Sequence, residues 1–245
     1  MTKSKGIVYY TDNIGDISIL DIVRKNLKRV SNLPILSVSL KDPVDFGKNV
    51  VLNSERSYLT MCKQQLIGLE NIDVDIVFLA EHDVLYPKCH FDFIPARSDI
   101  YYYNTNWWRI RKSDGKAFTF LAVAQFGLCA YRNLLINHYR KRIERVEKDG
   151  FLDTNIGYEP GLQKTSNGGV DDYRLQTWRS IHPLIDIRHD VNFSNGDLGS
   201  ASLDSSFSDG VYADSVPFWG RTFNRFESFL ENINFICDFN VQIIP

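Results

Sequence analysis

Val74-Asp75-Ile76-Val77-Phe78-Leu79-Ala80-Glu81-His82-Asp83 decides the fold class. An apolar run broken only by Asp75 is what a strand buried on both faces requires, and it stops at three polar residues. In open α/β sheets ligands sit outside the carboxyl ends of the strands, so Glu81, His82 and Asp83 stand where a site would open. Carboxylates there can hold a divalent cation through hard oxygen ligands; equally, they can be no more than the polar end of a strand.

Working outward from this run, residues 6–10 are apolar, β-branched or aromatic and end at Thr11-Asp12-Asn13, which predicts a buried first strand and a turn. Ile17, Leu20, Ile22, Val23, Leu27 and Val30 recur with the spacing of an amphipathic helix, and residues 34–40 read as a second strand. The opening is therefore βαβ, the unit of a parallel sheet covered by helices. Residues 54–69 predict another helix, with Ser54 as its N-cap, that flanks the same crevice and carries Arg56, Ser57 and Lys63. Its cations either meet a nucleotide's base, ribose or phosphates or simply face solvent.

On the other side, residues 100–110 form an aromatic β-like segment, and 130–149 read as the longest helix, closed by Gly150. Regularity fades beyond residue 151. Residues 194–215 are rich in Ser, Asp and Gly and read as a mobile loop, while 223–230 are apolar enough to dock a short terminal helix.

The 245 residues are 44% hydrophobic and 24% charged, an ordinary globular balance. Lys and Arg number 28 against 30 Asp and Glu, so the net charge of −2 offers no field for a polyanion and disfavours nucleic acid as a partner. The basic cluster Arg140-Lys141-Arg142 alternates with Glu144 and Glu147 at helical spacing and reads as a solvated face. Cys62, Cys89, Cys129 and Cys237 lie far apart, which argues against a zinc cradle or a redox pair. No run approaches the roughly 20 apolar residues of a membrane span, and the chain enters a strand without a signal peptide. A cytoplasmic protein is expected, in the host cytoplasm if the source is a virus.

Tyr9-Tyr10-Thr11-Asp12-Asn13, the Arg56 helix and Phe78-Leu79-Ala80-Glu81-His82-Asp83-Val84 together resemble GT-A glycosyltransferases, with Glu81-His82-Asp83 in the place of their DxD motif. Within that family the resemblance is to the N-terminal glycosyltransferase domain of the multidomain enzyme of chloroviruses, large viruses of green algae. It also runs through Ser57-Tyr58-Leu59-Thr60, Tyr102-Tyr103-Asn104-Thr105-Asn106 and residues 138–144.

The resemblance implies a single α/β domain over residues 1–193 with a mixed central sheet flanked by helices. Residues 1–98 would be its nucleotide-sugar half and 99–193 its acceptor half, with 194–245 packing against it. A nucleotide-sugar donor, UDP-linked or similar, would transfer its sugar to a carbohydrate acceptor with Mn²⁺ or Mg²⁺. Carried over by position, Thr11, Asp12 and Asn13 contact the nucleotide, Asp83 ligates the metal, and Glu81 assists directly or through water; Arg56, Ser57, Lys63 and His82 complete the expected donor-binding set.

Three further groups follow from the order of motifs. His189, in Asp186-Ile187-Arg188-His189-Asp190, matches the late histidine that completes the metal shell in many such enzymes; it can equally be structural. Asp171 and Asp172, after Gly168-Gly169, are the candidates for removing the acceptor's proton, or else an N-cap and first-turn acid. If the reaction retains configuration, the donor phosphate takes that proton instead. Trp107, Trp108 and Trp178 could stack on a sugar's C–H face or be plain core.

Two other functions share parts of this pattern. A nucleotidyltransferase would carry a glycine-rich basic loop after strand one, which Thr11-Asp12-Asn13-Ile14-Gly15-Asp16 is not. A carbohydrate-binding module would bind glycan through its aromatics, indifferent to metal and nucleotide.

Overall fold

The computed structural model describes residues 3–150, 159–162, 174–189 and 210–236. β1 (Lys5–Thr11) is buried from its second residue onward, as an apolar run covered on both faces must be. Asp16 caps α1 (Ile17–Val30) by accepting a hydrogen bond from the Ser18 amide, and the helix buries Ile19, Leu20, Val23, Leu27 and Val30. β2 (Ile35–Leu40) returns parallel to β1 with Thr11 opposite Ser39, closing the expected βαβ unit.

β3 (Lys48–Leu52) then extends the sheet parallel to β2. It is short, with no buried residue, and the sequence pattern hid it. α2 (Tyr58–Asn71) begins three residues later than expected: Ser57, not Ser54, accepts from the Thr60 amide, 3.0 Å away. Within α2, a Cβ at Gly68 would lie 2.4 Å from Val8 Cγ1, so glycine sets how closely this helix approaches β1.

β4 (Ile76–Glu81) lies beside β1, parallel, with Tyr10 opposite Glu81. β5 (Val84–Leu85) and α3 (Lys88–Phe91) follow. The aromatic segment then divides into β6 (Tyr101–Asn104) and β7 (Trp107–Arg111), which belong to different sheets. Asn104 makes the division: its Oδ1 accepts from the Asn106 amide at 3.0 Å, a side-chain turn that redirects the backbone.

β8 (Ala117–Thr119) pairs with β7, and β9 (Leu128–Tyr131) precedes α4 (Arg132–Asp149), so the start of the expected long helix is a strand. β10 (Leu175–Trp178) and β11 (Leu184–Arg188) lie where regularity was expected to fade. β12 (Val211–Ala213), β13 (Ser215–Val216) and β14 (Gly220–Arg221) lead to α5 (Phe226–Ile236).

The central sheet has seven strands in the order β10-β6-β9-β4-β1-β2-β3, and β9 alone runs antiparallel to its neighbours. The fold is thus α/β with a mixed central sheet flanked by helices. Alternation along β1 sends Val8 and Tyr10 into the core beneath α2 and α4, and Ile7 and Tyr9 into the opposite core. That second core is shared with α1, α5 and a five-stranded sheet, β12-β8-β7-β11-β5. Trp219, 1% exposed, anchors the C-terminal segment there and donates from Nε1 to the Pro183 carbonyl at 2.7 Å. Gly115, at φ +72°, lets Thr222 approach so closely that a Cβ would meet its carbonyl oxygen.

His90 is fully buried against the rings of Phe78, Tyr86, Phe91 and Trp178, with Nδ1 3.1 Å from the Asn104 amide nitrogen. The amide donates, so Nδ1 accepts and the imidazole is neutral. Burial pushes its pKa from 6.5 to about 3. Between those values the unfolded chain holds the extra proton. Stability from this residue is full above the unfolded pKa and falls as pH drops toward the folded one, at up to about 1.4 kcal/mol per pH unit. His90→Gln should flatten that slope in urea titrations between about pH 6 and pH 4. A slope unchanged by the substitution would contradict a neutral buried imidazole.

Candidate active-site cleft

The carboxyl ends of β1 and β4 open on a cleft of about 430 Å³. Thr11 and Asp12 reach it from the end of β1, Arg56 from just before α2 and Met61 from α2 itself, and Glu81, His82 and Asp83 from the end of β4 and the turn after it. β5 pairs antiparallel with β11, placing Asp186 opposite Val84, and the Ile187 amide donates to the Asp83 carbonyl at 2.9 Å. That pairing brings His189, just past the end of β11, back to the end of β4.

His189 Nε2 lies 3.7 Å from Asp83 Oδ2, and His82 Nε2 lies 3.9 Å from the same oxygen. One ligand atom from each of these three residues falls within 4.8 Å of the others, close enough to share one metal ion. Asp83 is 7% exposed. Burial would raise its pKa, but the imidazoles of His189 and His82 and the Arg188 guanidinium outweigh it and hold the carboxyl below its ordinary value. An ionised carboxylate beside two imidazoles is a fitting donor set for a divalent cation.

Glu81 stands apart from that group. Tyr10 Oη donates to Glu81 Oε1 at 2.6 Å. Burial and the neighbouring Asp83 charge drive this carboxyl upward against that hydrogen bond.

The residues expected to meet a nucleotide are placed unevenly. Thr11 Oγ1 lies 3.0 Å from His82 Nδ1, and Arg56 Nε donates to Asp12 Oδ2 at 2.5 Å. Asn13, at φ +59°, turns its amide onto the carbonyls of Leu40 and Asp42, away from the cleft. Ser57 lines the cleft while its hydroxyl caps α2. Lys63 pairs with Glu147 of α4 at 2.7 Å and is not among the lining residues.

Trp107, Trp108 and Trp178 do not line this cleft. Trp107 is 1% exposed and donates to the Ala122 carbonyl, Trp108 packs against the core, and Trp178 stacks on Phe93 with ring centroids 4.0 Å apart. Asp171 and Asp172 lie outside the described residues.

Four charged lining residues, Arg109, Asp186, Arg188 and Glu159, were not among the expected site residues. Arg109 Nε donates to Asp186 Oδ2 at 2.9 Å, and Arg188 Nη1 lies 3.7 Å from the same carboxylate, so two guanidinium groups share one counter-charge. The available signal was Arg109 within and Arg188 at the end of two otherwise strand-like segments, Trp107–Arg111 and Leu184–Arg188. Glu159 faces them from a short described stretch, and its Oε2 is buried with no partner among the described residues. Burial pushes this carboxyl up to about 8, against Arg142 and the Gln125 backbone amide.

No protein-family model matches the chain, and no curated protein matches it. Among solved structures it is similar to the apo form of the glycosyltransferase GlyE from Streptococcus pneumoniae TIGR4. That similarity has a TM-score of 0.35 and 16% identity over 60% of this chain and 39% of the other. The chain spans about two fifths of that protein. Nothing in these comparisons supports the resemblance to the chlorovirus enzyme. No helix among the described residues is long and apolar enough to cross a membrane.

Proposed function

We propose that the chain is a metal-dependent glycosyltransferase that takes a nucleotide diphosphate sugar, with UDP as the expected carrier, and passes the sugar to a carbohydrate acceptor. The observation that carries this reading is the convergence of His82, Asp83 and His189 at the carboxyl ends of the central strands, with His82 and Asp83 lining one cleft together with Thr11, Arg56 and Met61. A divalent cation held there, Mn²⁺ or Mg²⁺, supplies Lewis-acid charge to the departing diphosphate.

The chain's own residues divide the remaining work. Leu40, Met61 and the Thr11-Asp12 turn are suited to a base and ribose, and Arg109 and Arg188, which share the Asp186 carboxylate, leave one net positive charge for anionic phosphate oxygens. Gln125 and Glu159, on the facing wall, offer hydrogen bonds to sugar hydroxyls. Asp171 or Asp172 is the proposed base for the acceptor hydroxyl in an inverting reaction; in a retaining one the donor phosphate takes the proton. Trp108 and Trp178 belong to this proposal only if acceptor binding extends beyond the cleft.

Incubating the protein with a panel of nucleotide sugars and Mn²⁺, and measuring free nucleotide diphosphate, tests the proposal. One donor should be hydrolysed in preference to the others, and the release should stop in chelator. Release of pyrophosphate from a nucleoside triphosphate and a sugar phosphate would instead identify a nucleotidyltransferase.

A further inference from the structure

We infer that His82 takes the ligand position expected of Glu81, and that the resulting site, two imidazoles and one carboxylate, selects a first-row transition-metal ion over Mg²⁺ or Ca²⁺. This deepens the function proposed above by naming the class of ion, and rests on that reading only for the ion's role in turnover.

The two acidic side chains flanking His82 have different surroundings. Tyr10 Oη engages Glu81 at 2.6 Å, and the Tyr86 hydroxyl accepts from the Glu81 amide at 3.2 Å, which fixes both the side chain and the backbone of that residue to the strand end. His82 lies on the other side of the turn. Its Nδ1 is 3.0 Å from Thr11 Oγ1 and 3.5 Å from Asp12 Oδ1, and Arg56 in turn holds the second oxygen of Asp12.

In the tautomer that donates from Nδ1 to Thr11 Oγ1, with the Asp12 carboxylate nearby, His82 presents the lone pair of Nε2 outward. Here that atom faces the Asp83 oxygen that His189 also approaches. Arg56, Asp12 and Thr11 are therefore positioning residues for His82. Oxygen-only shells suit Mg²⁺ and Ca²⁺, whereas two nitrogens among three ligand atoms favour Mn²⁺, Co²⁺ or Zn²⁺.

The test uses the metal alone, without nucleotide: titration of the metal-free protein with CoCl₂ and separately with MgCl₂, read by calorimetry and, for Co²⁺, by visible absorption. Co²⁺ should bind at least about 100-fold more tightly than Mg²⁺. His82→Gln should shift the Co²⁺ absorption band and shrink that ratio by about tenfold or more, and Asp12→Asn should weaken Co²⁺ by about 10-fold. Glu81→Gln should leave Co²⁺ affinity within about threefold, since Glu81 is outside the ligand set.

Loss of Co²⁺ binding in Glu81→Gln with retention in His82→Gln would overturn the inference, as would Mg²⁺ affinity equal to that for Co²⁺. If His82→Gln fails to fold, the Asp12→Asn and Glu81→Gln titrations still decide it. The two readings also fail separately. Co²⁺ binding in the expected pattern, with no nucleotide sugar hydrolysed, would sink the transferase and leave the ion site; Mg²⁺-dependent turnover indifferent to His82 would do the reverse.

Discussion

Asp83→Asn is expected to lower metal-dependent release of nucleotide diphosphate by about 1000-fold or more, roughly 4 kcal/mol of transition-state stabilisation. Asp83 is the only anion in the three-residue group, and both histidine Nε2 atoms approach its Oδ2. The amide keeps the shape of the side chain but removes the charge that binds a cation. Because the Ile187 amide pairs with the backbone carbonyl of Asp83, the β5–β11 connection should survive, and the unfolding temperature should change far less than turnover. Steady-state kinetics beside a melting curve separates the two effects. Turnover within threefold of the parent would remove Asp83 from the chemistry.

Trp219→Ala should carry the largest stability loss, about 3–5 kcal/mol, since it empties a fully buried indole site and orphans the Pro183 carbonyl. For a chain of this size that corresponds to a fall in melting temperature of roughly 10 °C. Trp219→Phe keeps most of the volume and should cost only the hydrogen bond and some packing, about 1–2 kcal/mol. The position reaches function through the chain that follows Pro183: β11 begins at Leu184, delivers Asp186 and Arg188 to the cleft, and leads to His189 beside Asp83. At temperatures where the alanine variant is still folded, its metal affinity should already be weakened. Denaturant unfolding with unchanged midpoints would show that the C-terminal segment is a passive cover.

The parallel core of the fold was legible because strands buried on both faces are largely apolar, and residues 6–10, 34–40 and 74–79 are so, interrupted only by Ser37, Ser39 and Asp75. Elements that depend on long-range pairing were not. β3 is partly exposed and polar, β9 is a four-residue strand whose apolar letters merge with the helix after it, and the division of the aromatic segment turns on one Asn104 side chain. Ser54 and Ser57 both fit an N-cap in one dimension, and only the distance to the Thr60 amide separates them.

The site shows the same divide. A strand ending in Glu81-His82-Asp83 marks its place, because chemistry in a parallel sheet gathers at the carboxyl ends. Which of the three side chains turns toward His189 depends on Tyr10 and Thr11, cross-strand neighbours that no local pattern identifies. Arg109, Arg188 and Glu159 reach the cleft through the second sheet and a distant stretch of chain, so their shared location follows from strand pairing rather than spacing. The tryptophans illustrate the opposite case: their chemistry suits a sugar, yet burial in the described packing accounts for Trp107 fully.

The most direct measurement is the affinity of UDP for the protein by calorimetry, once with Mn²⁺ and once with excess chelator. Binding should be at least about 100-fold weaker in chelator, because the diphosphate would then meet the Asp83 carboxylate without a cation between them. Equal affinity under the two conditions would contradict a metal-held diphosphate in this cleft.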